Sequence, residues 1–257
     1  MNRVLVTGAA AGLGAALARA YVERGADVLA TDRATDGLEA FEHSLPLDIT
    51  DDEDWAAARA WVEQHWGGLD VLVNNAGVAG GGRIDVAAME EWSWITEINL
   101  FGAVRGTRTF VPGFKAQRSG TIVNVASLAG LVHPAGMASY NAVKAAVVAL
   151  TETCGHELAE YGVHCAVVCP SYFRTNLMDG LRGADERVGA VMGQLVANAP
   201  HSADDIAAEI LAGLDRGEDV IIPDEAARKA WSLKQNDRAA YDSVMRQQAA
   251  KLNQVDP

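Results

Sequence analysis

Basic residues are scarce in this chain: 21 Lys and Arg stand against 34 Asp and Glu, a formal net charge of −13. A nucleic-acid binder needs a basic footprint to displace phosphate counterions, so that class is disfavoured. An anionic membrane surface would repel the chain as well. Cysteine is sparse too. Cys154, Cys165 and Cys169 form no CxxC pair and no metal-ligand spacing, and no His/Cys/Asp cluster offers a metal site. An odd count with no secretion signal fits a reducing compartment, the cytoplasm. Cys165 and Cys169 lie four apart in a strand-like run, on one face, and read as small buried hydrophobes. Long apolar runs are missing: Val4 to Val6 lead straight into glycines, and Arg19, Glu23 and Arg24 follow at helical spacing. No stretch reaches the length of a membrane span, and no targeting segment is expected.

What is present is a soluble globular composition, 49% hydrophobic and 21% charged over 257 residues, enough for a sizeable core. β-rich runs alternate with helix-patterned stretches. The expected strands are Arg3–Thr7, Asp27–Thr31, Ser44–Pro46, Val71–Asn74, Gly120–Ala126, Val163–Cys169 and Val220–Ile222. Several are continuous Val/Ile/Leu runs, the pattern of strands covered on both faces. The alternation predicts a doubly wound α/β fold with a parallel sheet of about seven strands. No linker or repeat divides the chain, so residues 1–257 are expected to form a single domain. Thr50 before four acidic residues reads as a helix N-cap, and Ser202 reads the same way. Residues 79–82 and about 176–200 read as loops, the second long enough for a substrate lid with small helices. Residues 224–257 read as a helical extension, in which Tyr241, Val244, Met245, Gln248 and Leu252 form one largely apolar stripe.

The first expected strand ends in Thr7-Gly8-Ala9-Ala10-Ala11-Gly12-Leu13-Gly14, and a helix pattern follows. Glycines there permit a tight turn and let a pyrophosphate approach the backbone at a helix N-terminus. Asp32 closes the second strand, 18 residues past Gly14, where an acidic residue meets a ribose in dinucleotide-binding proteins. The TGxxxGxG spacing resembles the short-chain dehydrogenase/reductase family. Asn74-Asn75-Ala76-Gly77 resembles the family's NNAG motif, and Tyr140-Asn141-Ala142-Val143-Lys144 its YxxxK motif. The likeness covers roughly residues 3 to 223.

The resemblance implies an NAD(P)-dependent oxidoreductase acting on a secondary alcohol or ketone. It implies catalytic roles for Asn99, Ser127, Tyr140 and Lys144. Tyr140 would be the general acid or base, Ser127 would bind the substrate oxygen, and Asn99 would position a water in a proton relay through Lys144. A phenol titrates near 10, and a cation one helical turn away would lower that value. Cofactor contacts are implied for Gly8, Ala11, Gly12, Leu13, Gly14, Asp32, Arg33, Asp48, Ile49, Asn75, Ala76, Gly77, Tyr140, Lys144, Pro170, Phe173 and Thr175. The family's Pro-Gly after the sixth strand is Pro170-Ser171 here, which narrows that corner.

Asp32 favours NAD, whose ribose hydroxyls it can accept from, while Arg33 leaves a NADP-preferring carbonyl reductase as the alternative. The substrate pocket is expected to involve Ala129, His133, Met137 and Tyr172, with a medium-sized apolar alcohol or ketone, including a steroid-like one, as substrate. A homodimer or homotetramer is implied through the stretches Glu90–Phe114 and Ser139–Tyr161. The rivals are a non-catalytic nucleotide sensor on the same fold and an epimerase or dehydratase that retains its cofactor.

Overall fold

The structure is a computed structural model that describes residues 2–175 and 181–253. Its centre is one parallel sheet: β1 (Arg3–Thr7), β2 (Asp27–Asp32), β3 (His43–Pro46), β4 (Val71–Asn74), β5 (Gly120–Val125), β6 (Val163–Val168) and β7 (Val220–Ile221). The strand order is β3-β2-β1-β4-β5-β6-β7. All seven expected strands are there, within one residue at each end. The order reverses direction at β1, so the β1 and β4 ends flank a crevice, the place where ligands bind open α/β sheets.

Alternation along each strand builds two cores. In β1, Val4 and Val6 face one side, where α1 (Gly12–Glu23) supplies Leu13 and Leu17 and α8 (Ala203–Asp215) supplies Ile206 and Ile210. Leu5 faces the other, against Trp55 and Val62 of α2 (Asp52–Trp66) and Phe110 and Phe114 of α4 (Gly102–Gln117). Burial of one such Leu or Phe side chain contributes about 1.5–3 kcal/mol. Cys165 and Cys169 are both buried, among apolar neighbours on the side of β6 away from Ala166 and Val168.

The helix caps divide. α8 starts as expected: Ser202 caps it and forms a capping box with Asp205. At α2 the cap is Asp51, whose side chain accepts from Glu53 N, and not Thr50. Thr50 is occupied elsewhere, since its N–H and hydroxyl both donate to Asp48 Oδ1 at 2.9 and 2.7 Å.

α3 (Met89–Thr96) runs into a π-helical turn at Glu97–Phe101 and continues as α4. α5 (Ala129–Val132) is a single turn, and α6 (Ala138–Leu158) is the longest helix among the described residues. The stretch expected as a lid is partly helical: α7 spans Glu186–Ala197, while 176–180 lie outside the described residues. The extension forms a helical hairpin, α9 (Glu225–Asn236) and α10 (Arg238–Asn253). No helix among the described residues is long and apolar enough to cross a membrane.

Candidate active site

The site grows from three strand ends. After β1 the chain turns through Gly8 and enters α1 at Gly12, whose φ of +56 is left-handed. A side chain on Gly14 would put its Cβ 2.0 Å from the Gly8 carbonyl oxygen, so only glycine lets the helix start this close to the turn. Ala11 caps α1 without a side-chain hydrogen bond. The first N–H groups of α1 therefore face the adjoining cavity, an anion cradle of the kind a pyrophosphate needs. After β4, Asn75 Nδ2 donates to the Thr7 carbonyl at 2.9 Å, and the N–H groups of Asn75 and Ala76 both donate to Thr7 Oγ1 at 3.0 Å. The two strand ends are thereby locked side by side. At the end of β2, Asp32 accepts from Ala10 N at 3.1 Å and Ala34 N at 3.2 Å.

After β5 comes Ser127, whose Oγ accepts from Ala129 N at 3.1 Å. Tyr140 and Lys144 stand one turn apart on α6. That helix is pinned to the sheet through buried amides: Asn74 Nδ2 donates to Asn124 Oδ1 at 2.8 Å, and Asn124 Nδ2 to Thr151 Oγ1 at 2.9 Å. Lys144 Nζ lies 5.7 Å from the Tyr140 ring centre and donates to the Val125 carbonyl at 2.9 Å. Burial pushes the Tyr140 phenol up to about 12, against a lowering hydrogen bond with Ser127. Burial pushes the Lys144 ammonium down to about 8. The expected lowering of the phenol by its lysine is therefore reversed. Both groups lose water in this pocket, and each favours its neutral form.

Asn99 sits in the π-turn. Its amide is held by the Val78 main chain, accepting from N at 2.8 Å and donating to O at 2.9 Å.

One cavity of about 1060 Å³ joins these parts. Gly8, Ala11, Gly12, Leu13, Asp32, Asn75, Ala76 and Gly77 line one end, and Ser127, Tyr140, Lys144, Pro170, Phe173 and Thr175 line its middle. The group the cradle fits is a dinucleotide. Gly14, Arg33, Asp48 and Ile49 are not on the wall. Ile49 is buried against Gly102. Arg33 is exposed, and its guanidinium helps hold the Asp48 carboxyl low; partial burial works the other way, but the Thr50 hydrogen bonds and the Arg33 and Arg105 charges outweigh it.

Of the four expected substrate residues, Ala129, Met137 and Tyr172 line the cavity. His133 does not. Its ring is turned away, with Nε2 3.1 Å from the Gly130 carbonyl and Nδ1 2.7 Å from Lys234 Nζ of α9, and Pro134 takes the place on the wall.

A match to the short chain dehydrogenase family model over residues 2–186 decides the family. The chain belongs to the short-chain dehydrogenases. It is 34% identical over 200 residues to the 3-oxoacyl-[acyl-carrier-protein] reductase FabG of Vibrio cholerae, covering 75% of this chain and 81% of that protein. It is 35% identical over 194 residues to the trans-4-hydroxycyclohexanecarboxylate dehydrogenase of Sinomonas cyclohexanicum, covering 69% and 74%. A Burkholderia phymatum short-chain dehydrogenase/reductase solved in complex with NAD superposes with a TM-score of 0.85 at 27% identity, over 93% of this chain and 94% of that one. As a short-chain dehydrogenase this protein is an NAD(P)-dependent oxidoreductase of CH–OH and carbonyl groups acting on small molecules.

Two features of this short-chain dehydrogenase go beyond the family motifs. Asp224 is buried and caps α9 through Ala227 N at 2.7 Å, while its other oxygen accepts from Ser171 N at 3.2 Å. The corner where serine replaces the family's glycine is thus tied to the helical extension. The second feature is the far wall of the cavity. It is built by Val188, Met192 and Leu195 of α7 and by Met245, Gln248, Lys251 and Leu252 of α10. The stripe in α10 reads from sequence as covering its own subunit, closing over the substrate lid or packing on a neighbouring subunit; the structure puts Met245, Gln248 and Leu252 on the cavity wall beside α7.

Proposed function

We propose that this enzyme interconverts a secondary alcohol and its ketone, with Tyr140 as general acid/base and NAD as the preferred cofactor. The observation that carries the reading is that Ser127, Tyr140 and Lys144 meet on the wall of the cavity whose other end is the glycine cradle. Bound NAD(P) supplies the hydride acceptor or donor. The chain's own groups do the rest. The Ser127 and Tyr140 hydroxyls hold the substrate oxygen, and Tyr140 takes its proton in oxidation or returns it in reduction. The Lys144 ammonium beside the ring is the charge that stabilises the phenolate once formed, and the Asn99 carbonyl can hold a relay water. Asp32 supports NAD, because a 2′-phosphate would meet a carboxylate there. The apolar middle of the cavity suits a medium-sized apolar skeleton. A cytoplasmic homo-oligomer pairing through α4 and α6 completes the reading; the small Ala and Val side chains of 145–149 allow close helix approach.

Tyr140→Phe keeps the ring and removes the proton shuttle. It should lower kcat at least about 100-fold while NADH still raises the Tm. Turnover at the parent rate would overturn the assignment.

A further inference from the structure

The cavity is polarised along its length. The cofactor end carries a carboxylate, Asp32, whereas the wall made by α7 and α10 carries two cations, Arg187 and Lys251, and no carboxylate. In a chain of net charge −13 this runs against the background. Some arginines elsewhere find acids: Arg3 pairs with Asp70, Arg19 with Asp204, Arg24 with Asp215. Neither the Arg187 nor the Lys251 side chain makes a hydrogen bond or ion pair with any described residue.

Both cations line the same cavity. A side chain on Gly136 would meet Leu252 Cδ1 at 2.9 Å and Val188 Cγ2 at 3.2 Å. The immediate neighbours of Lys251 and Arg187 therefore converge over Gly136, next to Met137. From there to the reacting phenol the wall is apolar: Met137, Val188, Met192 and Leu252 pack in one cluster with Tyr140. Helix electrostatics account for one cation only. Lys251 lies in the last turn of α10, where positive charge is favourable, but Arg187 lies in the first turn of α7, where it is not. Arg187 is half-buried and Lys251 exposed on this wall, and the planar fork of a guanidinium suits a carboxylate.

The geometry points to a substrate with a terminal carboxylate, held by Arg187 and Lys251, joined by an apolar body to the carbinol or carbonyl carbon at Tyr140. This inference rests on the oxidoreductase reading and narrows it to hydroxy and oxo acids whose charge is remote from the reacting carbon.

The test is equilibrium binding of octanoate and octanamide by calorimetry, with and without saturating NADH. Octanoate should bind about tenfold tighter than octanamide, as one charge-assisted contact gives, and added salt should shrink the difference. R187Q/K251Q should bind the two alike, and R187E/K251E should prefer octylammonium. Equal affinity in the parent protein would overturn the inference, as would a preference that persists in a folded R187Q/K251Q. Salt dependence in the parent keeps the test decisive should the variants misfold. Binding needs no hydride transfer, so failure here is distinct from failure of the Tyr140→Phe test, and the NADH titration reports on the cofactor separately.

Discussion

The two ends of the cavity are built by different means. The cofactor end comes from strand ends and the main chain: a glycine turn, an uncapped helix N-terminus, and carboxylates and amides bonded to backbone within β1, β2 and β4. The end proposed for the substrate comes from side chains on two helices outside the sheet, α7 and α10. The first end is rigid because strand pairing fixes it. The second takes its shape from which side chains those helices present. A shared reaction can therefore be kept at one end while the substrate is varied at the other.

The contrast can be probed from the largest expected effect to the smallest. The seam between the ends is Lys144, buried with its ammonium pushed down to about 8 from 10.5. Its folded value is depressed, so between those two values the unfolded chain holds more protons and stability rises with pH. Below about 8 the full penalty applies; above 10.5 it is gone. Relative to Lys144→Met, the parent should gain up to about 3 kcal/mol across this window, read by urea unfolding at pH 7.5 to 10. A flat difference would mean the ammonium is not desolvated.

At the cofactor end, Asp32→Ala removes the carboxylate and leaves Arg33 free to pair with a 2′-phosphate. The ratio of kcat/KM for NAD over that for NADP should fall about 10- to 100-fold, the range of one or two charged contacts. A parent enzyme that prefers NADP would make Arg33 the selecting residue instead.

At the substrate end, Tyr241 is buried and its hydroxyl donates to the Val132 carbonyl, fastening α10 to the turn after Ser127. Tyr241→Phe should cost about 1 kcal/mol of stability and raise KM for the alcohol, with the Kd for NADH unmoved. An equal shift in both constants would show that the ends are not separable.

The same contrast explains what could be read from sequence. Strands buried on both faces announce themselves as Val/Ile/Leu runs, and the glycine turn and the Tyr140–Lys144 pair are local patterns. Thr50 failed as a cap because Asp48, two residues away, offered its hydroxyl a better partner, and Asp51 met the helix instead. His133 failed as a substrate contact because Lys234, far along the chain, turns its ring outward. Asp224, Arg187 and Lys251 carry no local signature. Each matters only through its place in the fold, beside Ser171 in one case and on the wall of the shared cavity in the others.

The position of Leu252 on the cavity wall also sets an order of events during synthesis. At roughly 5–20 residues per second, the ribosome makes α10 on the order of tens of seconds after the glycine turn. Through that interval a nascent chain can have its dinucleotide cradle and even its Tyr140 and Lys144 in place, yet its substrate chamber stands open on the side that α10 will close. On the proposed reading, substrate selection is acquired after the cofactor cradle.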